Sequence, residues 1–563
     1  MGTGVNADVA RMLERIADLL LVIDDNPFKV RAYQRAAEAV RRCLRPVTEM
    51  NKAELVAIDG IGKGTADAIL SIAETGRSRE LDSLMELIPP DLPELLELDG
   101  IGPKTVQKLM RHLNVTSISD LEAAARGRRI RALRGFGEKK EEDILRSIQV
   151  YRNRSGRMLI SEAERIAGAV SAYLTPGTFT YAGSLRRGRS TIGDIDIVTT
   201  EPSGSVNPRL RQIAQEIIDE GTKKTSILYE GKRVDIRFAD PSEFGATLLY
   251  LTGSKDFNIR LRERAIRGTM QLNEYGLLDK QTGMLKRCAT EEEVFHMLDL
   301  PFIPPELRED RGEIASAEAG TLPVLIEPTD IRGDLHAHTR GSDGSMTVDE
   351  LAAMGDHLGY EYILCSDHSA SLGVTRGLTP DGVKKQAHEI EMVNRNHACQ
   401  ILQGIEVDIL ADGSLAFTDS VLADLDIVIA SVHSALNQDM DTITRRMIKA
   451  IEHDHIDIIG HPTSRLIGRR GETAVDIPRI LSAAAETKTA VELNASPHRL
   501  DLDDFYLKTA NELGVLIAIG TDAHGPDDFA SMKYGITTAR RGWSEADDIL
   551  NTKKINELLD FFK

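Results

Sequence analysis

Apolar positions recur at helical spacing through residues 8 to 45 and again through 65 to 90, which predicts that roughly the first 150 residues are all helical. Three segments in that stretch repeat one pattern. Leu55 to Lys63 closes on Gly60-Ile61-Gly62, Leu95 to Lys104 on Gly100-Ile101-Gly102, and Ile130 to Lys139 on Gly135-Phe136-Gly137, each followed by a helical run. From Met158 the pattern changes. A helix over Ser161 to Tyr173 leads into strands around Thr178 to Ala182, Ile195 to Thr199, Thr225 to Tyr229 and Arg233 to Phe238, and residues 242 to 320 mix helix and short strand. Asp310 to Thr329, with its Ala, Glu and Gly content and flanking Pro323 and Pro328, reads as a linker. Beyond it, apolar strands such as Tyr362 to Cys365, Ile427 to Ala430, Ile456 to Ile459 and Val515 to Ile519 alternate with helices, the pattern of a parallel α/β barrel-like domain.

At 563 residues the chain exceeds what one hydrophobic core usually serves, so several modules are expected. The four cysteines are scattered without a CxxC pair, which excludes a disulfide framework or a thiolate zinc site and fits the cytoplasm. No apolar run approaches the length of a membrane span and the N-terminus has no signal-peptide pattern, so neither export nor anchoring is expected. The net charge of −19 argues against nucleic acid until its distribution is considered. Residues 1 to 320 hold 47 Lys and Arg against 49 Asp and Glu, so the acidity is concentrated in the remainder. Within the near-neutral part, Arg126, Arg128, Arg129, Arg131, Arg134, Lys139 and Lys140 form a basic stretch able to neutralise phosphates, or else simply a solvated face.

The three Gly-h-Gly turns place unpaired backbone N–H groups at a helix start, where glycines admit a phosphate closely. That is the helix-hairpin-helix pattern, a reader of DNA backbone. Its candidate contacts are Gly60, Gly62, Lys63, Gly100, Gly102, Lys104, Gly135, Gly137 and Lys139. A second constellation follows. Asp194 and Asp196 stand two apart on a strand, so both carboxylates face one side, and Asp235 on a later strand can join them. Converging carboxylates repel unless cations lie among them, and two Mg²⁺ (or Mn²⁺) ions would activate a sugar hydroxyl and stabilise leaving pyrophosphate. Ahead of them, Gly183-Ser184-Leu185-Arg186-Arg187 offers close-approach backbone, a hydroxyl and a guanidinium fork for a triphosphate.

The third constellation is the densest. His336 and His338 share one face of a strand, Asp343 follows in the loop, and His368, Glu406, His433, His461, Asp522 and His524 fall at or just past the ends of apolar strands, where α/β barrels gather their sites. Nine N and O ligands suit two or three Zn²⁺, Mn²⁺ or Fe ions that generate hydroxide near neutral pH and attack phosphorus. The remaining histidines of this half, His357, His388, His397, His453, His455 and His498, are read as ordinary core or surface residues.

Tyr181 to Asp196, with Gly183-Ser184 and Gly193-Asp194-Ile195-Asp196, resembles the palm motif of family X DNA polymerases, and Tyr250-Leu251-Thr252-Gly253-Ser254-Lys255 resembles their incoming-nucleotide motif. The nine C-terminal ligands match the polymerase-and-histidinol-phosphatase (PHP) motif. Together these resemblances cover essentially the whole chain and correspond to the bacterial and archaeal branch, PolX. They imply a multidomain fold: an all-α helix-hairpin-helix region, an α+β nucleotidyltransferase palm with a small thumb, and a distorted (β/α)7-like PHP barrel. The expected bounds are 1–90 and 91–150 for the helical regions, 151–256 for the palm, 257–317 for the thumb, 318–330 for a linker and 331–563 for the barrel. By the resemblance, Asp194, Asp196 and Asp235 are the polymerase metal ligands. Ser184, Arg187 and Gly193 hold the triphosphate, Tyr250, Gly253, Lys255 and Asn258 line the nucleotide pocket, and Arg157 adds a triphosphate contact.

Two positions depart from the family. Leu251 stands where members usually carry Phe, which leaves ribonucleotide discrimination open. Ala68 stands where vertebrate repair members carry a Schiff-base Lys, so no lyase of that type is expected, although Lys63 and Lys29 are nearby. The expected activity is gap-filling synthesis on gapped or primed DNA bearing a 5′-phosphate, from dNTPs, by a monomer, with PHP-dependent 3′-5′ exonuclease and related 3′-end or abasic-site processing. The alternative is a phosphoesterase for small phosphate esters, with the DNA-binding modules as a tether.

Overall fold

A computed structural model describes the chain apart from residues 1–2, 24–25, 44, 46, 48–49, 76–77, 90–91, 99–100, 114, 134, 156 and 372–375. The chain forms two compact units. One comprises Met1–Arg157 with the short segments Leu228–Arg233 and Asp310–Ile314, and the other contains the remainder. Among the described residues no helix is long and apolar enough to cross a membrane.

The first unit is helical, as the periodicity predicts. Helices Thr3–Val22 and Pro27–Arg42 bury Leu13, Ile16, Leu20, Val30, Ala36 and Val40 in a core shared with Leu55, Ile69, Val106, Leu121 and Ile144. The first hairpin runs from Lys52–Val56 to Lys63–Thr75, and local chemistry fixes both starts. Asn51 and Glu54 form a reciprocal capping box at the first, and the Gly62 N–H donates to Thr65 Oγ1 (2.9 Å) at the second. Gly60 adopts φ +98°, open to glycine but strained for other residues, and an added Cβ would press on the Arg35 carbonyl.

In the second unit, a mixed sheet runs in the order Phe179–Tyr181, Ile195–Thr199, Lys232–Phe238, Lys224–Tyr229, Glu216–Glu220. Four of these strands coincide closely with the expected ones. The fifth, Glu216–Glu220, is an exposed edge with three acidic residues in five, which hides it from an apolar pattern search. Helices Phe244–Thr252 and Lys255–Arg267 follow, then a small antiparallel sheet of Met270–Asn273, Gly276–Asp279 and Leu285–Lys286.

The C-terminal part is a seven-stranded parallel sheet, each strand paired to the next: Gly333–Ala337, Tyr362–Cys365, Gln400–Asp408, Ile427–Ser431, Ile458–Ile459, Ala490–Asn494 and Ile517–Gly520. Ala337 bridges Ala523 in parallel and the His338 N–H donates to the Ala523 carbonyl (2.8 Å), so the first and last strands meet and the sheet curls nearly closed. Most of these strands are buried throughout, which explains their nearly unbroken apolar runs. The segment 318–330 is tied to this barrel and does not hang free. Ile326 is buried and bonded through its N–H to the Ser544 carbonyl (3.1 Å), and Leu325 bridges Glu545. Its apolar Leu325-Ile326 pair outweighs the breaker signal of its prolines.

Candidate metal centres and nucleotide site

The barrel gathers one chemical group from every strand end. His336 lies within the first strand and His338 just past it, His368 follows the second, Glu406 belongs to the third, His433 follows the fourth, His461 the fifth, and Asp522 and His524 the seventh. The sixth supplies Glu492, which the sequence reading missed. His338, Asp343, His368 and His524 form one group with ligand atoms within 4.8 Å of one another; His336, His338 and Asp522 form a second, and His368, Glu406 and His433 a third. The groups share His338 and His368. His461 Nε2 joins through Glu406 Oε1 at 3.0 Å, so all nine predicted positions lie in one connected cluster.

A shell of carboxylates orients these rings. Glu492 Oε1 meets His336 Nδ1 at 2.6 Å and its other oxygen accepts the His461 backbone N–H at 2.5 Å, while Asp408 Oδ1 meets His433 Nδ1 at 2.8 Å. Asp367 accepts from Thr339, Ser342 and Gln386, and Asp334 accepts from Thr521. The electrostatics are those of a mixed charge cluster. Burial pushes the Glu406 carboxyl up, but His433, His336 and His368 outweigh it and hold the group well below the usual range. Burial likewise pulls His433 down while Glu406 and Asp408 outweigh it, lifting the imidazole to about 10.

The residues fit metal ions on a further count. His338 Nδ1 and His461 Nδ1 are buried without a hydrogen-bond partner among the described residues, a costly state for such atoms unless a ligand takes their lone pairs. Arg499, also missed by the sequence reading, faces the cluster through Asp522 Oδ2 at 3.5 Å.

The aspartate constellation is built differently. Asp196 and Asp235 are direct partners on adjacent parallel strands, so their side chains share a face, while Asp194 sits exposed in the bend just before its strand and not on the strand itself. Lys224 Nζ holds Asp235 Oδ2 at 2.6 Å. Gly183 (φ +62°) packs against Asp196 so closely that an added Cβ would collide with the carboxylate, which accounts for glycine at that position. Among the described residues, the groups whose ligand atoms gather within 4.8 Å of one another lie in the barrel, and the three aspartates are not among them.

Around the aspartates, Ser184 is the second residue of a short helix, Gly183–Arg186, and Arg187 directly follows it. Arg187 Nε donates to Glu309 (3.0 Å) and its Nη1 to the Thr252 carbonyl (2.5 Å), just before Gly253 at φ +70°. The Asn258 amide donates to the Tyr250 carbonyl (2.7 Å), and Arg262 stacks 5.2 Å from the centre of the Tyr250 ring. Lys255 is exposed, and Leu251, Gly193 and Ser184 are half-buried. A buried network without any motif lies beneath this loop. Glu291 is bidentate to Arg186 and to the fully buried Arg308, and Arg308 lies among the rings of Phe257, Phe295 and Phe302.

In the helical unit, Gly62, Lys63, Gly102, Lys104, Gly135, Gly137 and Lys139 are exposed at or beside helix starts, and Gly60 is half-buried behind the first. Gly100, and Arg134 of the basic stretch, fall outside the described residues. Part of that stretch is structural: Arg131 pairs with Glu138 and Glu141, and Arg126 with Glu122. Lys29 pairs with Glu80 at 2.6 Å. Arg157 is exposed in the coil after the last helix of this unit.

Comparison with known proteins meets this geometry from the sequence side. A helix-hairpin-helix domain profile matches residues 5–78, a SAM-like helix-hairpin-helix tandem profile residues 92–149, and a DNA polymerase beta thumb profile residues 247–309. The chain is 40% identical to the DNA polymerase/3′-5′ exonuclease PolX of Bacillus subtilis (strain 168), over 99% of both chains. The chain belongs to the PolX family. The chain is also 27% identical to DNA polymerase lambda of Rattus norvegicus, over 54% of this chain and 57% of that one. It is 32% identical to a probable phosphatase of Thermoanaerobacter sp. (strain X514), over 40% of this chain and 93% of that protein. The two partial matches correspond to the two halves of the PolX chemistry, a polymerase and a phosphoesterase.

Proposed function

We propose that this chain is a DNA polymerase that fills short gaps in DNA repair and, at a second site, shortens 3′ ends by hydrolysis. The full-length identity to a relative named for both activities carries this reading, and two separate carboxylate- and histidine-built sites on one chain support it. In it, residues 1–90 and 91–150 hold DNA backbone, 151–256 is the palm, 257–317 the thumb and 331–563 the phosphoesterase, with 318–330 between them.

Asp194, Asp196 and Asp235 would hold Mg²⁺ or Mn²⁺, and the nine barrel residues two or three Zn²⁺, Mn²⁺ or Fe ions. When bound, such ions lower the pKa of the attacking hydroxyl or water and offset charge on the departing oxygen. The protein groups bind and orient. Ser184, Gly193 and the Arg187 fork hold a triphosphate, with Arg157 as a further contact. Tyr250, Gly253, Lys255 and Asn258 line the nucleotide pocket. The exposed helix starts beside Gly62, Gly102 and Gly137, with Lys63, Lys104 and Lys139, hold DNA phosphates and make binding salt-dependent. The Lys29–Glu80 pair and Ala68 speak against a Schiff-base lyase in the helical unit. We place the protein in the cytoplasm as a monomer that prefers a gap with a 5′-phosphate.

The match to a probable phosphatase supports the second reading, in which the barrel acts on small phosphate esters. A labelled one-nucleotide gap separates the two. Extension lost only in Asp194→Ala and 3′ shortening lost only in His336→Ala are the expected results. Release of phosphate from free esters without any action on DNA would favour the second reading.

A further inference from the structure

Helix Met532–Arg541 belongs to the barrel, and begins eight residues past the candidate ligand His524. Its inner face packs on barrel residues: Gly535 lies so close to Ile519 and Ala495 that no side chain would fit there. Its outer face is committed to the polymerase half. Lys533 and Tyr534 both meet Glu164, at 2.5 and 2.8 Å, Arg540 meets Glu306 at 2.8 Å, and Thr537 fills the space a side chain at Gly188 would need.

The last residue of the helix reaches furthest. Arg541 is 2% exposed. Its Nη1 donates to the backbone carbonyl of Arg187 (2.5 Å) and to Glu309 Oε1 (3.0 Å), while its Nη2 is anchored by Asp504 of the barrel (2.8 Å). Glu309 Oε1 is also the acceptor for Arg187 Nε. One barrel guanidinium thus fixes the main chain of the triphosphate-loop arginine and, through a shared carboxylate, its side chain. Burial pushes the Glu309 carboxyl up, but Arg541, Arg187 and Arg189 outweigh it and hold the group below the usual range, so the shared acceptor is ionised.

We propose that Arg541 is a positioning residue for nucleotide incorporation: the hydrolase barrel supplies the support that aims Arg187 at the incoming triphosphate. This rests on the reading of Arg187 as a triphosphate ligand. Without Arg541, Glu309 keeps Arg187 as a partner but is free to draw its fork away from the nucleotide, and the Arg187 carbonyl loses a buried donor. Small displacements of a positioning group are expensive in rate. The effect should therefore fall on the nucleotide and not on hydrolysis at the barrel, whose ligands Arg541 does not touch.

The test measures KM and kcat for dNTP on a gapped duplex, 3′ shortening and Tm in the full chain, for wild type, Arg541→Ala, Arg541→Lys, Glu309→Gln and Arg187→Ala. Arg541→Ala is expected to raise the dNTP KM about 10- to 100-fold, the scale of a misplaced binding group, with 3′ shortening retained. Arg541→Lys should recover part of the loss, and combining Arg541→Ala with Glu309→Gln should cost little more than either alone. A raised KM in Arg187→Ala with none in Arg541→Ala, Arg541→Lys or Glu309→Gln overturns the positioning role alone. An unchanged KM in Arg187→Ala overturns the nucleotide reading and the proposal with it. Extension and hydrolysis falling together with Tm in Arg541→Lys and Glu309→Gln would reduce Arg541 to a structural residue.

Discussion

The two candidate metal sites differ in how much of each the fold builds in advance. In the barrel, all seven strands supply a group, His336 and His338 are fully buried, and Glu492 and Asp408 hold ligand rings in place. In the palm, two strands supply the aspartates, Asp194 faces solvent, and Lys224 occupies one oxygen of Asp235. Burying ionisable groups costs several kcal/mol each unless they are compensated, so the barrel commits folding energy to many groups at its site, whereas the palm buries only Asp235, beside Lys224, half-buries Asp196 and leaves Asp194 in water. The palm arrangement suits ions that arrive and leave with each nucleotide. The barrel arrangement suits ions that stay.

The sharpest way to break this comparison is to remove one carboxylate from each site. Asp235→Asn should lower primer extension by at least about 10³-fold while 3′ shortening persists, and Glu406→Gln, at the hub of the barrel cluster, should do the reverse. Loss of both activities in either variant, measured on one labelled duplex, would mean the sites are not independent. A smaller effect sharpens it. Glu492 touches no substrate in this reading but orients His336 and His461, so Glu492→Gln should cost about 10- to 100-fold in barrel metal affinity or hydrolysis, read by metal titration and by 3′ shortening, with extension unchanged.

Gly183→Ala probes the palm by sterics. The new methyl meets Asp196 at a positive φ, which predicts about 1–2 kcal/mol of destabilisation and about a tenfold loss of extension, checked by denaturant melts and single-nucleotide incorporation. This position also shows what a sequence can reveal. Asp196 and most of the barrel ligands were legible because they sit on a strand or just past its end, where the fold gathers them, while Gly183 at a short helix, Asp194 in a bend and Asp343 in a turn were legible only through their motifs. Glu492 and Asp408 were not, since an acidic residue on a strand looks the same whether it orients an imidazole or faces water; only the distance to His336 or His433 distinguishes them. The Arg186–Glu291–Arg308 network, in which Arg186 lies more than a hundred residues from its two partners, has no local signature at all. Strand Glu216–Glu220 was hidden because an exposed edge need not carry apolar residues.

The opposite end of the barrel provides a control for the electrostatics of the ligand end. Glu406 is held down by the imidazoles around it, whereas Asp457, just before the strand Ile458–Ile459, has its carboxyl pushed up to about 6 by burial, which the Val428 N–H offsets only in part. Its pKa is raised above the unfolded value, so the folded state binds the extra proton. Its stabilising contribution is therefore complete below the unfolded value and is lost as pH rises through about 6. Between pH 5 and 7 this predicts a decline of about 1 kcal/mol in unfolding free energy. Asp457→Asn should flatten that slope, because an amide keeps a hydrogen-bond acceptor for Val428 without a charge to desolvate. Chemical denaturation of both proteins across that range, with barrel metal content held constant, measures it. A slope unchanged by the substitution would assign the pH dependence to other groups and leave Asp457 ordinary.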